Sequence, residues 1–242
     1  MIDDCLMSLR FTSARVLSIV CVVTPAWADG QAGLDSVYRG DYATALREVR
    51  PLAEHGEASA QNDLGVMYER GFGVPQDYAV ARLWYEKAAA QGDATAQCNL
   101  GVLYDYGEGG PKDYAKARQW YERAAAQRHA SAQNNLGVLY REGLGGPQDY
   151  ATVRIWFEKA TSQGDTMAQR NLGELNYKGQ GVPQAYVRAY MWANLAAAHS
   201  TGLGQKIATD LRDTVLGRMT PAQVAEGQRL AQMCQEQQFK GC

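Results

Sequence analysis

A spacing of 36 residues runs through this sequence and constrains its fold more than any other feature. Four blocks, 58–93, 94–129, 130–165 and 166–201, follow one another without a gap, and the first two agree at 22 of 36 positions. All four carry Ala60-Gln61, Leu64-Gly65, Gly71, Gly73, Pro75, Tyr78, Trp84 and Ala88, or their equivalents 36, 72 and 108 residues on. The register also reaches backwards, because Asp41-Tyr42-Ala43 lies 36 residues before Asp77-Tyr78-Ala79, so residues 29–57 form a degenerate N-terminal repeat. A recurrence of this length marks one supersecondary unit stacked on its neighbours, since a single copy cannot bury its own apolar face.

Each block reads as two helices. In the first, Ala60, Leu64, Met67 and Tyr68 recur at i, i+4, i+7 and i+8, which is one apolar face. Gly65 falls inside this helix, where glycine costs about 1 kcal/mol relative to alanine. Its return at 101, 137 and 173 implies a neighbour too close for a side chain. Gly71 suits the left-handed residue that ends a helix, and Asp77 suits the cap of the next one. The second helix then buries Tyr78, Ala81, Trp84, Tyr85 and Ala88 and stops at Gly92. This spacing makes the aromatic residues a core ladder with the Trp residues inside it, ahead of a stacking platform for a ligand.

Residues 202–242 lie outside the period and read as C-terminal capping helices. Gln205–Gly217 is one helix. Thr220-Pro221-Ala222-Gln223 opens another, with Thr as cap, Pro at the first helical position and Gln at the third. Its buried side is expected to carry Val224, Leu230, Ala231 and Cys234.

The N-terminal residues 1–28 have the form of a signal peptide. Arg10 and Arg15 precede the apolar run 16–23, and Ala26-Trp27-Ala28 offers an A-x-A cleavage site. Asp3 and Asp4 are out of place in such a start, and initiation at Met7 makes the segment more regular. Cys21 lacks the preceding small residue of a lipidation site. The expected product is therefore exported, to the bacterial periplasm first and to the medium as the alternative, with no stable membrane insertion after cleavage. At 46% apolar and 21% charged residues the chain is not disordered. Its 24 basic and 26 acidic residues leave no electrostatic footprint for nucleic acid. The length fits one domain, or one array with a cap.

The pattern AxAQxxLGxxY followed by GxGxPxDYxxAxxWYxKAAxQG resembles the Sel-one-like repeat (SLR) family, a relative of the tetratricopeptide repeats, over residues 34–201. The resemblance implies an all-α, right-handed α/α solenoid of helix-turn-helix repeats. It also implies an adaptor that holds other proteins, in exported bacterial members often within the cell envelope. The fourth copy departs from the pattern, with Asn176 for Tyr, Ala185 for Asp and Ala193 for Tyr or Phe. It is expected to meet the cap rather than another repeat.

Chemistry is hard to find. No H-E-x-x-H, G-x-S-x-G or phosphate-binding loop occurs, so catalytic, cofactor-binding and metal residues are all read as none. His55, His129 and His199 fall at helix ends in non-equivalent slots. The resemblance does raise an enzymatic alternative, because cysteine-rich Sel-one-like relatives are described as penicillin-binding or β-lactamase proteins. Those relatives carry a disulfide within each repeat, which this sequence does not, and it has no S-x-x-K. Beyond the export segment remain Cys98, Cys234 and Cys242. An oxidising compartment allows a Cys234–Cys242 disulfide, with Cys98 expected to be an exposed, free thiol.

In the tetratricopeptide relatives the ligand faces the first helix, offset from the buried Leu and Tyr. Carried onto this register, that row is Ser59, Asn62, Val66 and Glu69, then Thr95, Cys98, Val102 and Asp105, then Ser131, Asn134, Val138 and Arg141. The fourth copy supplies Met167, Arg170, Glu174 and Tyr177. Asn62, Glu69, Asp105, Asn134, Arg141, Arg170 and Tyr177 are the expected contacts for a protein or peptide partner on the concave face. Arg141 and Arg170 are the anchors, because a guanidinium pairs with a carboxylate through two hydrogen bonds. The expected state is a monomer.

Overall fold

The structure, a computed structural model, describes residues 41–242. The expected export segment, the initiation site and the first part of the degenerate repeat lie outside the described residues. The fold is the expected all-α class, an α/α solenoid of helical hairpins on a 36-residue period. The described chain divides into two compact units, 41–148 and 149–242. A repeat array packs each copy on its neighbours and has no single centre.

Residues 41–148 hold six helices: α1 (Tyr42–Glu54), α2 (Ala58–Arg70), α3 (Tyr78–Ala90), α4 (Ala94–Tyr106), α5 (Tyr114–Ala126) and α6 (Ala130–Glu142). Their boundaries follow the punctuation of the repeat. The Asp77 carboxylate accepts from the amides of Ala79 and Val80 at 2.9 and 3.0 Å, which satisfies donors that the first turn of α3 leaves open. Gly71 closes α2 with φ at 73°, a conformation that penalises any residue bearing a Cβ. Asp113 caps α5 in the same way as Asp77, and Asp93 caps α4.

Close helix approach explains the internal glycines. A Cβ on Gly65 would lie 2.6 Å from the Tyr85 ring, and one on Gly101 would lie 2.6 Å from the Tyr121 ring. Tyr85 and Tyr121 are completely buried, whereas Trp84 and Trp120 are only half-buried. Trp84 has the Lys87 ammonium 3.8 Å above its ring, and Trp120 has the Arg123 guanidinium at 4.4 Å. The expectation that every repeated Trp is core is therefore corrected. The Tyr next to it fills the core, and the Trp covers the helix flank beneath a cation.

Residues 149–242 hold α7 (Tyr150–Thr161), α8 (Thr166–Lys178), α9 (Tyr186–His199), α10 (Gly202–Leu216) and α11 (Pro221–Glu236). The fourth copy turns to the cap as expected. Ala193 makes room beside Gly173, and Leu211 of α10 enters that room, 3.2 Å from where a Gly173 Cβ would be. Ala185 leaves α9 without a side-chain cap, while Thr220 and Gln223 form the anticipated reciprocal capping box of α11. Gly227 of α11 lies against the Tyr190 ring of α9, and Ala231 and Cys234 continue the buried side, with Val224 and Leu230 half-buried. Cys234 and Cys242 form a disulfide. No helix among the described residues is long and apolar enough to cross a membrane.

Candidate functional site

The helices α2, α4 and α6 present one recurring face within 41–148, and its inner edge is a ladder of glutamines. Gln61 donates to the Ala53 carbonyl at 3.2 Å, Gln97 to that of Ala89 at 3.2 Å and Gln133 to that of Ala125 at 3.1 Å. A second glutamine of the same copy joins the rungs of Gln61 and Gln97. Gln91 donates both to Gln61 Oε1 at 2.7 Å and to the Gly56 carbonyl at 2.9 Å. Gln127 does the same with Gln97 and Gly92, both at 2.9 Å. The repeated Gln is thus a fastener between copies, a role that its recurrence signals but its residue type does not reveal. In 149–242 the corresponding Gln169 is wholly buried.

The row offset from this ladder is not solvated in the way the register suggests. Asn62, Glu69, Asp105, Asn134 and Arg141 are buried within 41–148, and Arg170 is buried within 149–242. Tyr177 alone of the expected contacts is half-exposed. The physical reason is visible at four of these positions. Glu69 accepts from the Tyr85 hydroxyl at 2.7 Å, reaching under α3 rather than outwards. Asn62 accepts from Asn99 at 3.1 Å, and the Arg141 guanidinium runs along its own helix to Glu142 at 2.9 Å. Arg170 donates to Asn171 at 3.3 Å. Ser59, Thr95 and Ser131 of the same row remain half-exposed.

Burial sets the electrostatics of this face. It pushes the Glu69 carboxyl above its ordinary value, against the opposing pull of the Tyr85 hydrogen bond and the Arg70 charge. It pushes the Tyr85 hydroxyl well up too, with the Glu69 charge adding to the shift. Tyr121 behaves likewise beside Asp105. In 149–242 the Asp165 carboxyl is raised by burial despite accepting the Ala168 amide at 2.8 Å. These perturbed groups cap and tie helices, so their shifts trace to packing. No group of three or more His, Cys, Asp or Glu among the described residues is arranged to hold a metal ion. His55, His129 and His199 sit at helix ends, where His129 caps α6 and burial lowers its pKa.

Cys98 differs from expectation on both counts. It is fully buried, and it is disulfide-bonded. Its slot holds Asn62 and Asn134 in the neighbouring copies, and the inward turn of those amides shows why a small thiol is buried there.

The repeat geometry agrees with comparison to known proteins. The Sel1 repeat model matches residues 58–93, 94–129, 130–165 and 166–200. A Sel1 repeat protein from Oxalobacter formigenes has a crystal structure similar to this one, with 33% identity and a TM-score of 0.66, over 74% of this chain and 71% of that one. The protective antigen c5321 of uropathogenic Escherichia coli strains, which displays an SLR fold, is 31% identical with a TM-score of 0.65. That match covers 88% of this chain and spans half the length of the other. No curated protein matches the chain. With four family repeats in unbroken register over more than half its length, the chain belongs to the Sel1 repeat family.

Proposed function

We propose that this chain is a non-catalytic adaptor of the bacterial cell envelope that holds a protein or peptide partner on the first-helix face, the concave side of the solenoid. Sel1 repeat proteins are generally protein-interaction scaffolds, and the fold is typically non-enzymatic. One observation carries the finer reading. Along α2, α4 and α6 the fastening residues Gln61, Gln97 and Gln133 are constant, and the row beside them keeps Ser59, Thr95 and Ser131 half-exposed at the same place in each copy. A row of accessible hydroxyls on a constant frame is suited to holding an extended chain. In 149–242 the row continues on α8 with the half-exposed Tyr177.

Export to the periplasm, or secretion as the alternative, rests on the basic start, the short apolar run and Ala26-Trp27-Ala28. The Cys234–Cys242 disulfide suits the same oxidising compartments. The chain presents its frame ready-made, so binding costs little ordering on its side.

Photo-crosslinking tests the face directly. A benzophenone amino acid placed at Ser59, Thr95 or Ser131, half-exposed members of the row, is expected to trap the same protein from envelope extract at all three positions. The same probe at Gln119 or Glu122, exposed on α5, is expected to trap none. Trapping only from α5 would put the partner on the other side.

A further inference from the structure

Residues 237–242 follow α11 and double back on it, and little besides a disulfide holds them there. Gln237, Gln238, Lys240 and Gly241 are exposed, which leaves Phe239 and Cys242 as the only members turned inwards. Phe239 meets the His199 ring of α9 edge-on, with centroids 5.5 Å apart. That ring is fixed, its Nδ1 donating to the Leu195 carbonyl at 2.8 Å and its Nε2 accepting from the Gln235 amide at 3.2 Å. The remaining bonds of the segment are short-range, from Gln238 N to the Gln235 carbonyl, Phe239 N to that of Cys234 and Lys240 N to that of Gln237.

The backbone of this segment runs against its own preference. Gln238 and Phe239 have φ of 52° and 61°, two successive side-chain-bearing residues in the left-handed region. Among the described residues only Arg128 shares that conformation without being glycine, and it stands alone. Such a pair persists only where the surroundings impose it. Here the imposing element is the bond from Cys242 to Cys234, a residue of α11 that is 2% exposed.

What the bond holds in place is a cover. A cavity of about 290 Å³ lies among α7, α8 and α9, wholly within 149–242. Leu172, Val182 and Trp192 form its apolar wall, and Cys242 is the one lining residue brought in from beyond α9. Trp192 is 5% exposed beneath this arrangement. With the bond open, the left-handed pair relaxes and one edge-on ring contact remains to hold the segment, so opening is local. α11 keeps its place by other means, the Thr220–Gln223 capping box and the close approach of Gly227 to the Tyr190 ring.

We propose that residues 237–242 are a redox-released strap, closed over the cavity while Cys234 and Cys242 are bonded and opened by a dithiol of the kind a Cys-x-x-Cys protein carries. The two sulfurs differ in access, because Cys242 is half-exposed and Cys234 is buried. One thiolate of the dithiol attacks Cys242 Sγ, the S–S bond breaks, and Cys234 leaves as a thiolate that takes up a proton. The second thiol then attacks the mixed disulfide and frees Cys242 as a thiol. The dithiol departs as a disulfide, having given two electrons and two protons to the pair. The strap lies apart from the first-helix row, and its release does not depend on the partner assigned to that row.

The test uses the full-length chain labelled with ¹⁵N, each indole N–H signal being assigned by a Trp→Phe substitution. The readout is line broadening by a neutral gadolinium chelate. Reduction with dithiothreitol is expected to raise the broadening of Trp192 at least three-fold and to leave Trp84, Trp120 and Trp156 unchanged, with helicity retained. Cys234→Ser with Cys242→Ser, which leaves Cys98 alone, is expected to show the same rise without reductant. Graded dithiothreitol followed by alkylation in denaturant should label Cys234 and Cys242 before Cys98, whose sulfur is fully buried. Should the serine pair fail to fold, Cys242→Ser alone decides the matter. Equal shielding of Trp192 in the oxidised chain, the reduced chain and the serine pair overturns the proposal. A rise shared by all four indoles also overturns it, by making the bond a staple of the whole fold. So does a rise on reduction that the serine pair lacks, which assigns the effect to Cys98, and so does labelling of Cys98 first.

Discussion

Leu211 stands to Gly173 as Tyr85 stands to Gly65: each fills the hollow that a missing side chain leaves on a first helix. The two contacts differ in tightness, and that difference is measurable. A Cβ at Gly101 meets the Tyr121 ring at 2.6 Å, whereas one at Gly173 meets nothing closer than 3.2 Å. Gly101→Ala is therefore expected to destabilise by about 1–3 kcal/mol through overpacking. Gly173→Ala is expected to be close to neutral, because an alanine in a helix recovers about 1 kcal/mol of propensity. Urea titrations of the two variants give the comparison, and an equal loss at both positions contradicts the assignment of Gly101 to the tighter contact.

The tryptophans should separate in the same way. Trp192 is 5% exposed, while Trp120 is half-buried under Arg123. Trp192→Ala is expected to cost about 3–5 kcal/mol, the usual range for a buried aromatic truncated to alanine. Trp120→Ala is expected to cost roughly half as much, in proportion to the area it buries. Thermal melts of both proteins order them, and the reverse order restores the repeated Trp to the core.

Acid should favour the fold around Glu69. Its pKa is raised from 4.5 in the folded chain, so the folded state holds the proton more tightly than the unfolded one. That contribution is complete below the ordinary value and is lost as pH rises through the raised one. The stability of 41–148 is thus expected to fall over this window, a slope that Glu69→Gln removes while keeping an acceptor for the Tyr85 hydroxyl. Urea midpoints collected from pH 4.5 upwards report it. Asp165 acts with the same sign in 149–242, through its own burial-raised carboxyl.

The Cys234–Cys242 bond closes a short loop, with a sequence separation of 8. Loop-closure entropy gives about 2.5 kcal/mol for such a ring. Replacing both cysteines with alanine is expected to remove up to that amount, mainly from α11, and non-reduced peptide mapping should show the two segments linked. A melting temperature unchanged by the double substitution makes the bond dispensable to the fold.

The repeat made most of the fold legible, because Gly, Pro and Asp at fixed intervals set helix ends by local rules. What it concealed is lateral. Register places Glu69 and Arg141 on a ligand-facing row, but the Tyr85 hydroxyl draws Glu69 under its neighbour, and Arg141 folds along its own helix to Glu142. A pattern of positions carries no information on which way a long polar side chain bends. The last copy shows the reverse case. Asn176 stood out as a departure from the repeat, yet its effect falls on Arg154, which lacks the ring that Tyr104 gives Arg82 and lies 51% exposed. Only the packed chain connects the two.

The glutamine ladder also has a mechanical meaning. Gln91 and Gln127 each clasp the copy before them, joining residues 30 and 35 positions apart and nothing farther. A load along the chain therefore meets a row of similar clasps one at a time. Each clasp that opens releases about one period of 36 residues, roughly 120–130 Å of extended chain, while the copies beyond it stay folded. Within 41–148 the chain can lengthen in steps and still keep part of its surface intact.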